Sequence, residues 1–269
     1  MKTAVITGSA RGLGFELAKN FRKNGYNVVL NDVNEAGVLA SADELRSTIE
    51  GAGGVIGTKC DVTVRSDCDA LAEKAAAEFG AIDIWINNAG VNQAEKFAWE
   101  LEEREVEFLL NVDLKGAING SSAAMRTMIR QGHGAIYNVE GFGSNDAYQP
   151  YLAVYGTAKR AVTYFTGALA NEIKEKNLPV IAGKLSPGIM ITDFLTSSNG
   201  KDGTVALSDR VKKVYNILGD YPDVIAEHLV KKMLTNTKND VRIEWLTTAK
   251  ASWRFMTAAF NKRDFFSGK

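Results

Sequence analysis

The chain has 269 residues, 45% of them hydrophobic and 24% charged, enough for one α/β domain with a substantial core. Lys and Arg together number 32, as do Asp and Glu, so no whole-molecule field draws in nucleic acid or an acidic surface. The two cysteines, Cys60 and Cys68, and the two histidines, His133 and His228, have the spacing of neither a zinc site nor a disulfide framework, which leaves reduced thiols and a cytoplasmic setting as the expectation.

Residues 3 to 7 are apolar and mostly β-branched and run straight into glycines, which suits a first core strand rather than a signal peptide. Glycines at 8, 12 and 14 follow, then a helical pattern through Leu13, Leu17, Ala18 and Phe21. Such a turn lets the backbone approach a diphosphate, whose charge the helix start can hold. TGSARGLG lacks the G-x-G-x-x-G spacing, so a plain αβ corner remains the alternative. The next strand, 27 to 30, ends at Asp32, eighteen positions after Gly14. A carboxylate there can accept the ribose hydroxyls of NAD and repel the phosphate of NADP. Arg11 pulls the other way, since a guanidinium could hold that phosphate; NAD is the expected cofactor and NADP the alternative. An aspartate followed by Val33, Asn34 and Glu35 also suits a simple turn.

A helix is predicted over 41–50, a strand over 55–60 ending in Asp61 and Val62, a helix over 66–79 with Ser66 as N-cap, and a strand over 82–86. Further on come a helical stretch 104–130 and strands at 135–139, 180–185 and 241–245. Strands alternating with helices give parallel crossover units: a single-domain Rossmann-type doubly wound parallel sheet of about seven strands, with helices on both faces. Ligands of such sheets sit beyond the carboxyl ends of the strands, where Asp32, Asp61 and the turn Asn87-Asn88-Ala89-Gly90 would lie.

AVYGTAKRAVTYF, residues 153 to 165, sets a phenol and an ammonium four residues apart at a helix start, so Tyr155 and Lys159 share one helical face. A lysine charge one turn away favours the phenolate and brings a general acid/base toward working range. A packed tyrosine beside a solvated lysine is the plainer reading of this spacing alone.

TGSARGLG at 7–14, NNAG at 87–90, Asn111, YGTAK at 155–159 and Pro187-Gly188 together resemble the short-chain dehydrogenase/reductase family in its shorter single-domain branch, over roughly residues 1 to 195. The resemblance implies an NAD(P)-dependent oxidoreductase moving hydride between a nicotinamide and a carbonyl or secondary alcohol. It makes Tyr155 the proton donor or acceptor, Lys159 the residue that holds the nicotinamide ribose and lowers the phenol's pKa, and Asn111 the support of a proton relay. It places Gly8, Ser9, Arg11, Gly12, Leu13 and Gly14 on the diphosphate, Asp32 and Val33 on the adenosine ribose, and Asp61 and Val62 on adenine. Asn88, Ala89 and Gly90 then meet the inner ribose, and Pro187, Gly188, Ile189 and Thr192 the nicotinamide. It also implies a homodimer or homotetramer through the long helices.

The chain departs from that pattern where the family places a serine after the fifth strand: Asn138-Val139 continues as Glu140-Gly141. Ser144 in GFGSND, or Glu140 held protonated, would have to take over; a loop-capping carboxylate is the alternative for Glu140. The missing hydroxyl keeps open a second reading, a catalytically silent NAD(H)-binding sensor or scaffold. NVEGFGSND and the long C-terminal extension are similar to the chlorophyll-b-reductase-like subgroup.

Residues 193–220, with SSNGKDG and then a helical pattern over 209–218, are expected to close over the substrate, and Met190, Phe194 and Leu195 suggest a partly apolar one. The catalytic domain is read as 1–245. In the extension, 246–269, Leu246, Ala249, Trp253, Met256 and Phe260 recur at helical spacing with basic residues elsewhere around the helix. That stripe is expected to pack on its own domain or a neighbouring subunit, with peripheral membrane contact the weaker alternative.

Overall fold

Alternation along the strands decides the architecture. In the first strand, β1 (Thr3–Ile6), Ala4 and Ile6 enter one apolar cluster and Val5 the other. The same split recurs in β2 (Asn27–Asp32), where Val28 and Leu30 face one side and Val29 the other. A strand buried on both faces needs helices on both, and each fully buried Ile, Leu or Phe contributes about 1.5–3 kcal/mol.

The computed structural model describes residues 1–51, 53–191, 209–260 and 263–266. Between β1 and β2 runs α1 (Gly12–Lys23); α2 (Glu35–Thr48), β3 (Val55–Lys59), α3 (Arg65–Phe79) and β4 (Ile84–Asn87) follow. Then come α4 (Glu103–Leu110), a π-helical turn (Asn111–Lys115), α5 (Gly116–Gln131), β5 (Ala135–Val139), α6 (Ala153–Glu175) and β6 (Ile181–Ser186). The described chain ends with α7 (Asp209–Leu218), α8 (Pro222–Thr235), β7 (Val241–Glu244) and α9 (Thr248–Thr257). Seven parallel strands lie in the order β3-β2-β1-β4-β5-β6-β7. One face is covered by α1, α2 and α8 through Leu17, Phe21, Leu45, Leu229 and Met233. The other carries α3, α5 and α6 through Leu71, Ala75, Met128 and Ile173. Strand order reverses between β1 and β4, which opens a crevice at the carboxyl edge.

Polar groups beneath that crevice are bonded to each other. Trp85 Nε1 donates to Asn87 Oδ1 (2.8 Å), and Asn87 Nδ2 donates to Asn138 Oδ1 (2.7 Å) and Ser121 Oγ (2.9 Å). Gly120 leaves them room, since a Cβ there would lie 2.0 Å from Asn87 Oδ1.

Three boundaries differ from expectation. Helix α2 starts at Glu35 rather than Ser41, because Asn34 caps it by accepting from Gly37 N (3.1 Å), so the short polar run is a helix start and not only a turn. Helix α3 is preceded by Val64 rather than capped by Ser66. The single helix expected over 104–130 is broken by the π turn, where Gly116 N bonds Asn111 O and the side chains shift register.

At the C-terminal end, α9 is held by its basic side. Asp220 Oδ2 accepts from Trp245 Nε1 (2.7 Å) and Arg254 Nη1 (2.6 Å), and its Oδ1 from Arg263 Nη1 (2.9 Å). Trp253 (64% exposed), Met256 (68%) and Phe260 (92%) face outward, so of the two expected partners of the apolar stripe, its own domain does not cover these three residues. No described helix is long and apolar enough to cross a membrane. Of the expected substrate cover, residues 193–208, including Phe194 and Leu195, lie outside the described part.

Candidate active site

A cavity of about 710 Å³ opens at the switch between β1 and β4. It collects Gly8, Arg11, Gly12 and Leu13 from the glycine turn, Asp32 and Val33 after β2, and Asp61 and Val62 after β3. Asn88, Ala89 and Gly90 after β4 line it too, together with Asn111, Glu140, Tyr155 and Lys159.

The glycine turn is strapped to the turn after β4. Thr7 Oγ1 accepts from Asn88 N (3.0 Å) and Ala89 N (3.1 Å), while Asn88 Nδ2 donates to Gly8 O (2.9 Å). Gly8 has φ +60°, and a Cβ on it would lie 2.6 Å from Ala89 Cα, so a side chain is excluded on both counts. Ser9 and Gly14 act one layer back: Ser9 Oγ donates to Ile6 O (2.7 Å) and accepts from Asn31 N (2.9 Å), and Gly14 packs against Gly8 O. Helix α1 begins at the cavity with no side-chain cap and no acid in its first turn. Its leading N–H groups and dipole therefore suit an anion such as a diphosphate. Asp32 Oδ1 accepts from Asn34 N (3.0 Å), which fixes the carboxylate at the cavity wall.

Tyr155 (8% exposed) is the third residue of α6 and Lys159 (6%) follows one turn on. The ammonium lies 5.5 Å from the phenol ring centroid. Asp113, 2% exposed and delivered by the π turn, meets Lys159 Nζ at 2.9 Å through Oδ2 and accepts from Val91 N at 2.7 Å through Oδ1. The Lys159 contact is a buried charge pair.

This carboxylate changes the electrostatics expected from the Tyr–Lys spacing. Burial pushes the Tyr155 phenol up; Lys159 pulls it down, Asp113 pushes it up again, and the net direction is upward. Burial alone would lower Lys159, but the charges of Asp113 and Tyr155 outweigh it and the ammonium is held above its ordinary value. So Lys159 stays charged, and the phenol keeps its proton more firmly than the two-residue pattern implied.

Asn111 lines the cavity, with its carbonyl taken by Gly116 N in the π turn. The group in direct contact with Lys159 is Asp113, two residues on, an acid not among the expected site residues. A signal was present: Asp113 continues the buried stripe of Leu109 and precedes Gly116, Ala117 and Gly120, where an acid needs a partner.

Neither stand-in for the serine reaches the phenol. Glu140, with its side chain 1% exposed, accepts from Arg242 Nε (2.6 Å) and Thr163 Oγ1 (2.7 Å), so both oxygens are engaged in tying β5 to β7 and α6. Ser144 Oγ accepts from Gly141 N (3.2 Å) and donates to Lys159 O (3.5 Å), closing its own loop. Gly141 is what faces Tyr155.

Pro187, Gly188 and Ile189 stand behind the cavity rather than in its lining, with Gly188 at φ +72° against Leu246. Met190, Ile191 and Pro222 form the wall there. Asp220 N donates to Ile189 O (3.1 Å) and Ile191 N to Asp220 O (3.0 Å), pinning that wall to the cluster around Asp220. Thr192 lies outside the described residues. Cys60, also unforeseen, lines the Asp61 end, and the interaction with the neighbouring Cys68, then burial, push its thiol up. No group of three or more potential metal ligands occurs among the described residues.

Comparison with known proteins gives the same assignment as the geometry. A family model described as short chain dehydrogenase matches residues 2–203. A chlorophyll(ide) b reductase of Arabidopsis thaliana (NOL, chloroplastic) is 33% identical over 254 residues, 92% of this chain and 70% of the relative. A probable chlorophyll(ide) b reductase of Oryza sativa subsp. japonica (NYC1, chloroplastic) is 30% identical over 280 residues, 98% of this chain; the chain spans only 54% of that relative's length. Among solved structures, a 3-ketoacyl-(acyl-carrier-protein) reductase from Brucella melitensis complexed with NADH superposes with TM-score 0.79 and 25% identity, covering 93% of this chain and 98% of the other.

Proposed function

Because the chain belongs to the short chain dehydrogenase family, we propose that it is an NAD(P)-dependent oxidoreductase acting on a carbonyl or secondary alcohol, with Tyr155 handling the proton. The observation that carries this is a buried phenol and ammonium in the wall of the cavity that also receives the uncapped start of α1, with a buried carboxylate against the ammonium. The cofactor, when bound, supplies or accepts the hydride.

The chain's own residues do the rest. The α1 N-terminus with Gly8 and Gly12 would hold the diphosphate, and Asp32 the adenosine ribose. We assign NAD on the strength of Asp32, with Arg11 at the same cavity as the feature that would admit NADP. In reduction, the Tyr155 hydroxyl donates its proton to the substrate oxygen, and the Lys159 ammonium stabilises the phenolate left behind. In oxidation the phenolate takes the alcohol proton. We count reduction of a chlorophyll(ide) b-like molecule among the candidate activities, supported by relatives named chlorophyll(ide) b reductase and by the apolar wall of Met190, Ile191 and Phe108. We further assign association through the long helices α5 and α6, and, with both thiols unbridged, the cytoplasm.

A second reading has its own support: Gly141 stands where the expected hydroxyl would be, which suits a dinucleotide-binding sensor without turnover. Tyr155→Phe separates the two. It should lower turnover by about 10³-fold while leaving cofactor binding within about 2-fold, because only the proton-transfer group is removed. Wild-type inactivity across a broad carbonyl panel with both cofactors would favour the sensor.

A further inference from the structure

Helix α6 carries the reacting phenol in its first turn, where main-chain N–H groups have no partner within the helix. The residue before it, Leu152, supplies no side-chain cap. The acceptor comes from a distant loop: Gln93 Oε1 accepts from Val154 N (2.9 Å) and from Tyr155 N (3.0 Å), 62 positions away. Gln93 is itself 5% exposed, and its Nε2 donates to Lys96 O (3.1 Å).

The loop that presents Gln93 is anchored at both ends. At its start, Val91 N donates to Asp113. At its far end, Lys96 Nζ reaches both carboxylate oxygens of Glu105 at 2.9 Å, and Glu105 closes the first turn of α4 through Glu102 N (2.8 Å). The Phe97 ring lies against that of Tyr151, at 4.8 Å between centroids, just ahead of α6. A residue held this firmly fixes what it bonds to. The main chain of Tyr155 is therefore located by the loop beside the cavity as well as by its own helix.

We propose that Gln93 is a positioning residue: through the main-chain N–H of Tyr155 it sets where the phenol stands relative to Gly141 and Lys159. The proposal rests on the acid/base reading of Tyr155. Displacement of a reacting group by about 1 Å can cost about 10²-fold in rate, so a lost cap at the reacting residue itself should register in turnover.

The test uses the full chain with Gln93→Leu, which keeps the bulk and loses the acceptor, and Gln93→Glu, which restores an acceptor oxygen. Amide hydrogen exchange at Val154 and Tyr155 should speed up at least 10-fold in Gln93→Leu and return toward wild type in Gln93→Glu. With it, kcat should fall about 10-fold or more in Gln93→Leu with KM for the cofactor unchanged, and recover most of that loss in Gln93→Glu. Should Gln93→Leu fail to fold, Gln93→Ser, too short to reach either amide, takes its place. Unchanged exchange would overturn the cap, and faster exchange with unchanged kcat would overturn the positioning role. Faster exchange in a protein whose wild type turns over no carbonyl substrate would instead leave the cap in place and sink the acid/base reading.

Discussion

Gly141 and the Tyr155 hydroxyl are in direct apposition: a Cβ built on Gly141 would lie 2.3 Å from the phenol oxygen and 3.1 Å from Cζ. The phenol thus fills the space that a serine side chain at this position would need. Any residue larger than glycine must push the ring away from it.

It follows that restoring the serine by substitution does not restore the usual arrangement. Gly141→Ser should lower kcat at least 10-fold, because the displaced phenol loses its distance to Lys159. Cofactor affinity should stay within about 2-fold, since Gly141 does not line the cavity. Steady-state kinetics beside a fluorescence titration of the dinucleotide check this, and a gain in kcat would refute it.

The carboxylate behind Lys159 gives a signed pH prediction. Asp113 raises Tyr155, so Asp113→Asn should let the phenol ionise at lower pH while Lys159 stays charged. The rising limb of kcat/KM for alcohol oxidation should move to lower pH, and the falling limb for carbonyl reduction should move with it. Removing one member of a buried charge pair also costs about 3 kcal/mol, visible as a lower Tm. A limb that moves upward would mean that Lys159 had given up its proton instead.

Beneath the crevice, stability depends on hydrogen bonds that have no water to replace them. Asn87→Ala removes the acceptor of Trp85 Nε1 and the donor to Ser121 Oγ, and leaves Asn138 Oδ1 with only the longer bond from Ser121 Oγ (3.3 Å). The expected loss is about 3 kcal/mol, or roughly 8 °C in Tm. Gly120→Ala should destabilise by a comparable amount, because its Cβ would collide with Asn87 Oδ1. Thermal melts of the two variants and the double mutant test this, and the double mutant should cost less than the sum, since one clash disappears with its target.

What the sequence made legible was local. The glycine turn, Asp32, Asp61 and the Tyr155–Lys159 pair each follow from spacing within one element, and the cavity brings all of them together. What it hid depends on register or on distance. Asp113 was missed because a regular helix over 104–130 does not anticipate the π turn that delivers it to Lys159. Glu140 looked like a candidate donor because its partner Arg242 lies 102 positions away on another strand. Spacing on α9 does not show which side meets its own domain: Asp220 recruits the basic side, and Trp253 and Met256 of the apolar stripe stay exposed. Met190 and Ile191 rather than Pro187 and Gly188 line the cavity, and a parallel bridge ties Met190 to Asp220, a pairing of distant residues that spacing does not reveal.

That bridge has a consequence for biosynthesis. A nascent chain lays down Met190 and Ile191 long before Trp245, Arg254 and Arg263 leave the ribosome, yet those three residues clasp the aspartate on which this side of the crevice hangs. Six of the seven strands can pair while that clasp is still unmade. The dinucleotide-holding half is therefore the first part of the molecule to mature during translation, and the wall opposite it is the last.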